Sequence, residues 1–243
     1  MAGQVSENEL GTVLMQAMQA QKNLRPQRDR LLQLRRRLEQ LSLSPVEADA
    51  GHADKIKQLA TDLFKVYFIG IEYGSRTLGT CLMLAAKAGA RLALSLAFAA
   101  LPDERLHDAL LAQRLPARPT TQTEAFSRVE ATLNAVKVVQ DHHVPRCIEH
   151  LVGQRPPTVV DAYNENPKKT DRSDPAPDTV VDLGKARDFL DRAYTLAALA
   201  VKHIDLAVVA LSRFLDPKEV ASLSEFTDSV AYISEDGPYL SSD

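Results

Sequence analysis

The chain has 243 residues, of which 45% are hydrophobic and 25% charged, and its formal charge at pH 7 is −3. This ordinary globular composition excludes a wholly disordered chain and a collagen-like repeat, and the presence of only two cysteines excludes a disulfide framework. Aromatic residues make up 5% and Trp is absent, which favours long helices over sheets.

The first predicted element is a long N-terminal helix. It starts at Ser6, because Ser6 and Glu9 have the spacing of a capping box. Apolar residues then follow a heptad repeat. One heptad position holds Leu10, Ala17, Leu24, Leu31 and Leu38, the other holds Val13, Ala20, Leu34 and Leu41, and Gln27 is the exception. Pro26 interrupts the amide ladder, so we expect a kinked helix or two helices that meet near Leu24.

This heptad supports two interpretations. It is typical of a coiled coil between chains, and equally of an amphipathic hairpin packed on its own domain. We expect residues 1–45 to form a basic helical arm, a candidate coiled coil, followed by a linker. The residues predicted to make intermolecular contact are Leu24, Leu31, Leu34, Leu38 and Leu41.

Residues 46–233 are predicted to form a helical bundle. The most apolar segment, about 53–101, carries one narrow polar stripe of Arg76, Thr80, Lys87 and Arg91, which is typical of a central bundle helix. Further helices are expected over about 102–115, 121–143, from Pro145, over 182–215 and from Pro217. Residues 154–181 contain five prolines and predict a long irregular loop, and residues 234–243 form an acidic tail. The predicted fold class is therefore all-α, a multi-helix bundle with a heptad-patterned arm.

The strongest local cluster of reactive side chains lies in residues 142–150. It contains three imidazoles, a thiol and a carboxylate, and the candidate metal ligands are His143, Cys147 and His150. Pro145 is expected to break the helix between them, so convergence on one ion does not follow from their spacing. We interpret the segment as a solvated helix junction, and we expect neither a bound metal nor a cofactor.

Charge is unevenly distributed along the chain. Residues 22–37 carry seven basic residues and one acid, whereas residues 216–243 carry one basic residue and seven acids. These runs can join copies head to tail, can bind nucleic acid through the basic arm, can meet within one chain, or can be solvated helix faces. The residues predicted to carry the charge pairing are Arg28, Arg35, Arg36 and Arg37. The arm has no aromatic residue on which bases could stack, which favours the protein partners.

These observations predict a non-enzymatic structural or scaffold protein that associates with itself or joins a larger assembly. The alternative is a nucleic-acid-packaging nucleoprotein or coat protein that binds RNA or DNA through the basic arm, since a helical body with a charged arm and tail recurs in viral proteins of that kind. Neither a signal sequence nor a transmembrane span is expected, because the longest uncharged apolar stretches have 10 and 11 residues and a span needs about 20. The two cysteines indicate a reducing compartment, so the expected location is the cytoplasm, another reducing intracellular compartment or a virion.

Overall fold

The computed structural model describes residues 6–43, 51–66, 71–87, 103–153 and 181–229. Within these ranges the chain is helical and contains no strand, so the predicted all-α class is confirmed. The helices are α1 (Glu7–Leu43), α2 (His52–Lys65), α3 (Glu72–Lys87), α4 (Asp103–Ala112), α5 (Gln122–Val138), α6 (Val144–Val152), α7 (Leu183–Leu211) and α8 (Pro217–Ser229). The predicted linker before residue 51, almost all of the Pro-rich loop and the acidic tail lie outside the described residues.

Two long antiparallel helices, α1 and α7, form the centre of the bundle. Arg25 of α1 pairs with Asp205 of α7 at 3.0 Å, and Glu39, near the other end of α1, pairs with Arg187 at 3.3 Å. Residue numbers rise along α1 as they fall along α7, which establishes the antiparallel direction. Helix α7 also packs against α4, α5 and α6, while α3 lies between α1 and α5 and α2 packs on α6 and α1.

The heptad residues of α1 lie in the core of the bundle. The buried side chains of α1 are Leu10, Val13, Leu14, Ala17, Ala20, Leu24, Leu31, Leu34 and Leu38. They belong to the same apolar cluster as buried residues of α3, α5 and α7. The boundary predicted at residues 45 and 46 therefore does not separate two cores. Pro26 lies inside α1, which runs as one helix of 37 residues.

Helix α3 presents a polar stripe to solvent, as its sequence predicts. Arg76, Thr80 and Lys87 are not buried, whereas the buried positions include Leu78, Cys81, Leu82 and Ala85. The fourth predicted member, Arg91, lies outside the described residues. The centre of the bundle is, however, formed by α1 and α7, because each of them contacts more of the other helices than α3 does.

Helices α1 and α3 approach closely at Gly74. A Cβ atom built on Gly74 would lie 2.7 Å from Cδ2 and 3.2 Å from Cγ of Leu24, which is itself buried. The absence of a side chain at residue 74 therefore allows Leu24 to fill the interface between the two helices.

Replacing Gly74 with alanine should destabilise the fold by about 1–3 kcal/mol, because the added methyl group overpacks the contact with Leu24. Gly79 provides a matched control on the same helix, since a Cβ there would meet nothing within 4 Å. Gly79→Ala should raise stability by about 0.5–1 kcal/mol through helix propensity alone. Urea denaturation of both variants measures the difference, and a Gly74→Ala protein as stable as Gly79→Ala would contradict the close approach.

The described residues on either side of positions 154–180 lie next to each other. Helix α6 ends at Gly153, which has a left-handed φ of 76° and donates its amide to the carbonyl of Glu149. The amide of Asp182, which caps α7, donates to the carbonyl of His150 at 3.0 Å. The end of α6 and the start of α7 are thus hydrogen-bonded to each other.

Helix α7 and its short 3₁₀ continuation, residues 183–214, are long and apolar enough to span a bilayer by length and composition. Half of the most apolar part of this segment is buried inside the fold. A core helix of a bundle meets the same test of length and composition, so the expectation that the chain has no transmembrane span stays a prediction.

Candidate functional site

The five leucines predicted to contact another chain lie against the chain's own helices. Leu24, Leu31, Leu34 and Leu38 are buried, and Leu41 is partly buried against the same core. This arrangement corrects the intermolecular assignment, because their apolar surface is already covered. It corresponds to the other interpretation of the heptad, an amphipathic helix packed on its own domain.

Three of the four predicted arginines are paired within the chain. Arg28 forms an ion pair with the neighbouring Asp29 at 2.7 Å, and Arg37 pairs with Asp62 of α2 at 2.6 Å. Arg35 pairs with Asp191 of α7 and lies 5.8 Å above the ring of Tyr194. Arg36 differs, since it is exposed and no ion pair involves it within the part of the chain that the structure describes.

The basic run also contacts the acidic C-terminal segment. Lys22 donates to the carbonyl of Thr227 at 2.8 Å and lies 3.4 Å from the carboxylate of Asp228, both in α8. Counting Arg25 with Asp205, five of the seven basic side chains in residues 22–37 have carboxylate partners in the chain. The two oppositely charged runs therefore meet within one chain through Lys22 and Asp228.

The histidine-rich segment is a continuous helix rather than a broken one. Residues 139–143 form a π-helical turn between α5 and α6, in which the amide of Val144 donates to the carbonyl of Val139, five residues earlier. Pro145 has no amide, and its ring would clash with the carbonyl four residues before it in a regular helix. The wider turn accommodates this ring, so the break predicted at Pro145 is wrong. Pi-helical turns are frequent at functional sites.

His143 faces a buried partner on α4. Its Nε2 lies 3.1 Å from Nδ1 of His107, and the two rings meet edge to face. His143 is 1% exposed, and its Nδ1 has no hydrogen-bond partner. The expectation of a solvated junction is therefore wrong for this residue. A hydrogen bond between two ring nitrogens needs one N–H and one bare nitrogen, so at least the accepting imidazole is neutral in this arrangement.

The surroundings disfavour protonation of either ring. Burial, together with charge repulsion from the nearby His107, His142 and Arg192, lowers the pKa of His143 to about 3. Burial also lowers the pKa of His107, with Arg192 acting in the same direction and Asp108 against it. The histidine pair is thus suited to packing in its neutral form.

The other members of the cluster point to different neighbours. The ring of His150 stacks on Phe189 of α7 at 5.6 Å, and His142 meets the edge of the same ring at 5.8 Å. Cys147 is buried, and burial raises the pKa of its thiol, which disfavours the thiolate that binds metals. Within the described ranges, no three His, Cys, Asp or Glu side chains are grouped closely enough to hold a metal ion.

A second buried polar cluster is centred on Arg128 of α5, which is 4% exposed. Its guanidinium donates to Nδ1 of His203 at 2.6 Å and to the carbonyls of Leu115 and Pro116. The neutral ring of His203 can accept this bond, and burial, aided by Arg128 and Lys202, lowers its pKa to about 4. Arg128 therefore joins α5, α7 and the loop before α5.

Helix α8 lies at the rim of the bundle. It packs on α1 and on the 3₁₀ turn that precedes it, and among its residues only Thr227 is buried. Val220 and Leu223 are partly buried against the core, while the side chain of Phe226 is 55% exposed. The helix is therefore held by a thin apolar contact and by its polar contacts with α1.

No family model matches the chain, and neither a curated protein nor a solved structure is significantly similar to it.

Proposed function

We propose that the protein is a non-enzymatic helical scaffold that associates with copies of itself. The observation that carries this proposal is the position of α8, an acidic helix that lies on the basic helix α1 and leaves Phe226 open. An exposed aromatic side chain beside complementary charges is a feature of surfaces that bind other proteins. The self-association needs no heptad leucine, because those side chains belong to the bundle's own core.

The nucleic-acid-packaging alternative has less support from the arrangement of the basic residues. Phosphate groups would have to compete with Asp62, Asp191, Asp205 and Asp228 for the side chains that these carboxylates already pair with. Within residues 22–37, Arg36 is the basic residue best placed for an external partner, and one arginine supplies little of the counterion release that nucleic-acid binding requires.

Light scattering on the purified chain tests the proposal. We expect a molar mass above the 26.7 kDa of one chain at micromolar concentration in low salt. The mass should fall as salt is added, because the screening length shortens from about 30 Å at 0.01 M to about 3 Å at 1 M. A mass of one chain at every concentration and salt level would overturn the proposal.

Addition of RNA to the same samples separates the two functions. We expect no further rise in mass. A rise that is lost in Arg36→Glu but kept in Arg118→Glu would favour packaging through the arm. Arg118 is a matched control because it is also exposed, lies in the loop before α5 and gives the same change in net charge.

A further inference from the structure

We propose that α8 is an exchangeable helix, which docks on α1 of a second copy of this chain in the place where it otherwise docks on its own α1. The inference rests on the proposed self-association and names the surface that carries it. The occupant of the surface is the α8 helix of another copy, identified by the contacts that α8 already makes.

The docking surface on α1 has two fixed points. At Gly11 a Cβ atom would lie 2.7 Å from Oε1 of Glu219, so the missing side chain forms a notch that receives the start of α8. At Lys22 the ammonium group binds the carbonyl of Thr227 and the carboxylate of Asp228 near the end of α8. Gly11 and Lys22 are eleven residues apart on α1, which is about 16 Å along the helix axis. Their partners Glu219 and Asp228 follow in the same order on α8, so α8 runs parallel to α1.

The connection between α7 and α8 suits an exchange. After the 3₁₀ turn Ser212–Phe214, Leu215 is extended, with φ −122° and ψ 159°, and its side chain remains in the core. Asp216 caps α8 by accepting the amide of Lys218 at 2.8 Å. The extended backbone at Leu215 interrupts the helix, and Pro217 occupies the first position of α8, where its missing amide breaks no helical hydrogen bond. Helix α8 therefore starts as a separate unit behind a short hinge.

The contacts that hold α8 are the kind that open at low cost. The carboxylate side chain of Asp228 is 74% exposed, and exposed ion pairs contribute little stability. Only Thr227 is buried in α8. Docking on a second copy forms the same contacts again, so the chain concentration sets the balance between the closed and the exchanged form.

Cysteine cross-linking between differently labelled copies tests the exchange. A Gly11→Cys chain is mixed with a Glu219→Cys chain, incubated at high concentration and oxidised with a copper–phenanthroline catalyst. We expect a covalent heterodimer on a denaturing, non-reducing gel, because the exchanged helix brings the thiol introduced at position 219 of one chain to the thiol introduced at position 11 of the other. Both native cysteines are buried, which keeps the background low.

A second mixture, Lys22→Cys with Asp228→Cys, reports on the other end of the docking surface and leaves the notch at Gly11 intact. The control mixture pairs Glu219→Cys with Gly79→Cys, since residue 79 lies on α3 and a Cβ atom there would meet nothing within 4 Å. We expect a heterodimer in the second mixture and none in the control.

Oligomeric mass without a heterodimer in either test mixture would overturn the exchange and leave the proposed self-association intact. A monomeric mass for the wild-type chain would overturn both. The thermal midpoint of each variant is measured beforehand, and if Gly11→Cys is not folded, the pair at positions 22 and 228 decides the result.

Discussion

Replacing both Leu31 and Leu38 with aspartate should unfold the whole bundle rather than only release an arm. Both side chains are fully buried between α1 and the rest of the core. Each replacement removes a buried leucine, which costs about 2–5 kcal/mol, and adds a carboxylate without a partner. The combined loss exceeds about 5 kcal/mol, which is comparable to the stability of a typical domain. Circular dichroism should therefore show loss of most helicity at 25 °C.

The matched control changes two exposed positions of the same helix, Gln33→Asp and Arg36→Asp. Exposed substitutions of this kind change stability by about 0.5 kcal/mol or less each, so this double variant should remain folded. If the Leu31 and Leu38 variant instead keeps its helicity and only loses oligomeric mass, the heptad is an intermolecular seam and the packing of α1 described here is wrong.

Acidification from pH 6.5 to pH 4.5 should destabilise the protein, because two buried histidines must stay neutral in the folded chain. The pKa of His143 is lowered to about 3 and that of His203 to about 4, from an ordinary value of 6.5. Below pH 6.5 the unfolded chain binds protons that the folded chain does not. The stability that the two neutral rings contribute is present above pH 6.5. It is lost as the pH falls toward the folded-state pKa values of the two histidines. Between pH 6.5 and pH 4.5, each of the two histidines should lower the free energy of unfolding by about 2 kcal/mol.

Replacing one histidine should remove its share of this pH dependence. His203→Gln retains a carbonyl that can accept the hydrogen bond of Arg128, but it does not titrate. The slope of unfolding free energy against pH should then fall over pH 6.5–4.5 by the share of His203, which is at most about half. His150→Gln is the control, since His150 is only partly buried. Urea denaturation at several pH values measures the slopes, and equal slopes for all three proteins would contradict the assignment.

The local features of this fold could be predicted because their chemistry is local. Ser6, Asp182 and Asp216 were expected near helix starts. In the structure, the carboxylates of Asp182 and Asp216 accept helix amides, and the amide of Ser6 donates to the carboxylate of Glu9. A cap needs only a short polar side chain beside free amides, so a few residues suffice to identify it. The absence of strands in the described ranges likewise follows from helical periodicity and low aromatic content.

The partners of the predicted residues could not be derived in the same way. A heptad has the same pattern whether its apolar face meets another chain or the chain's own α7. His107 and His143 are 36 positions apart, and no spacing rule connects them. Arg128 lies on a helix that is buried almost all round, so amphipathicity did not distinguish its inward direction. At Pro145 the local rule predicted a break, and the π-helical turn removed the clash instead.

The hydrogen bond between Asp182 and His150 holds the end of α6 to the start of α7, on either side of residues 154–180. When the ends of a loop are held together in this way, extra residues in the loop add mainly closure entropy. Doubling such a loop costs about 0.6 kcal/mol. We therefore expect residues inserted between positions 154 and 180 to cost little folding stability, whereas a single inserted residue in α1 would turn its buried leucines away from the core.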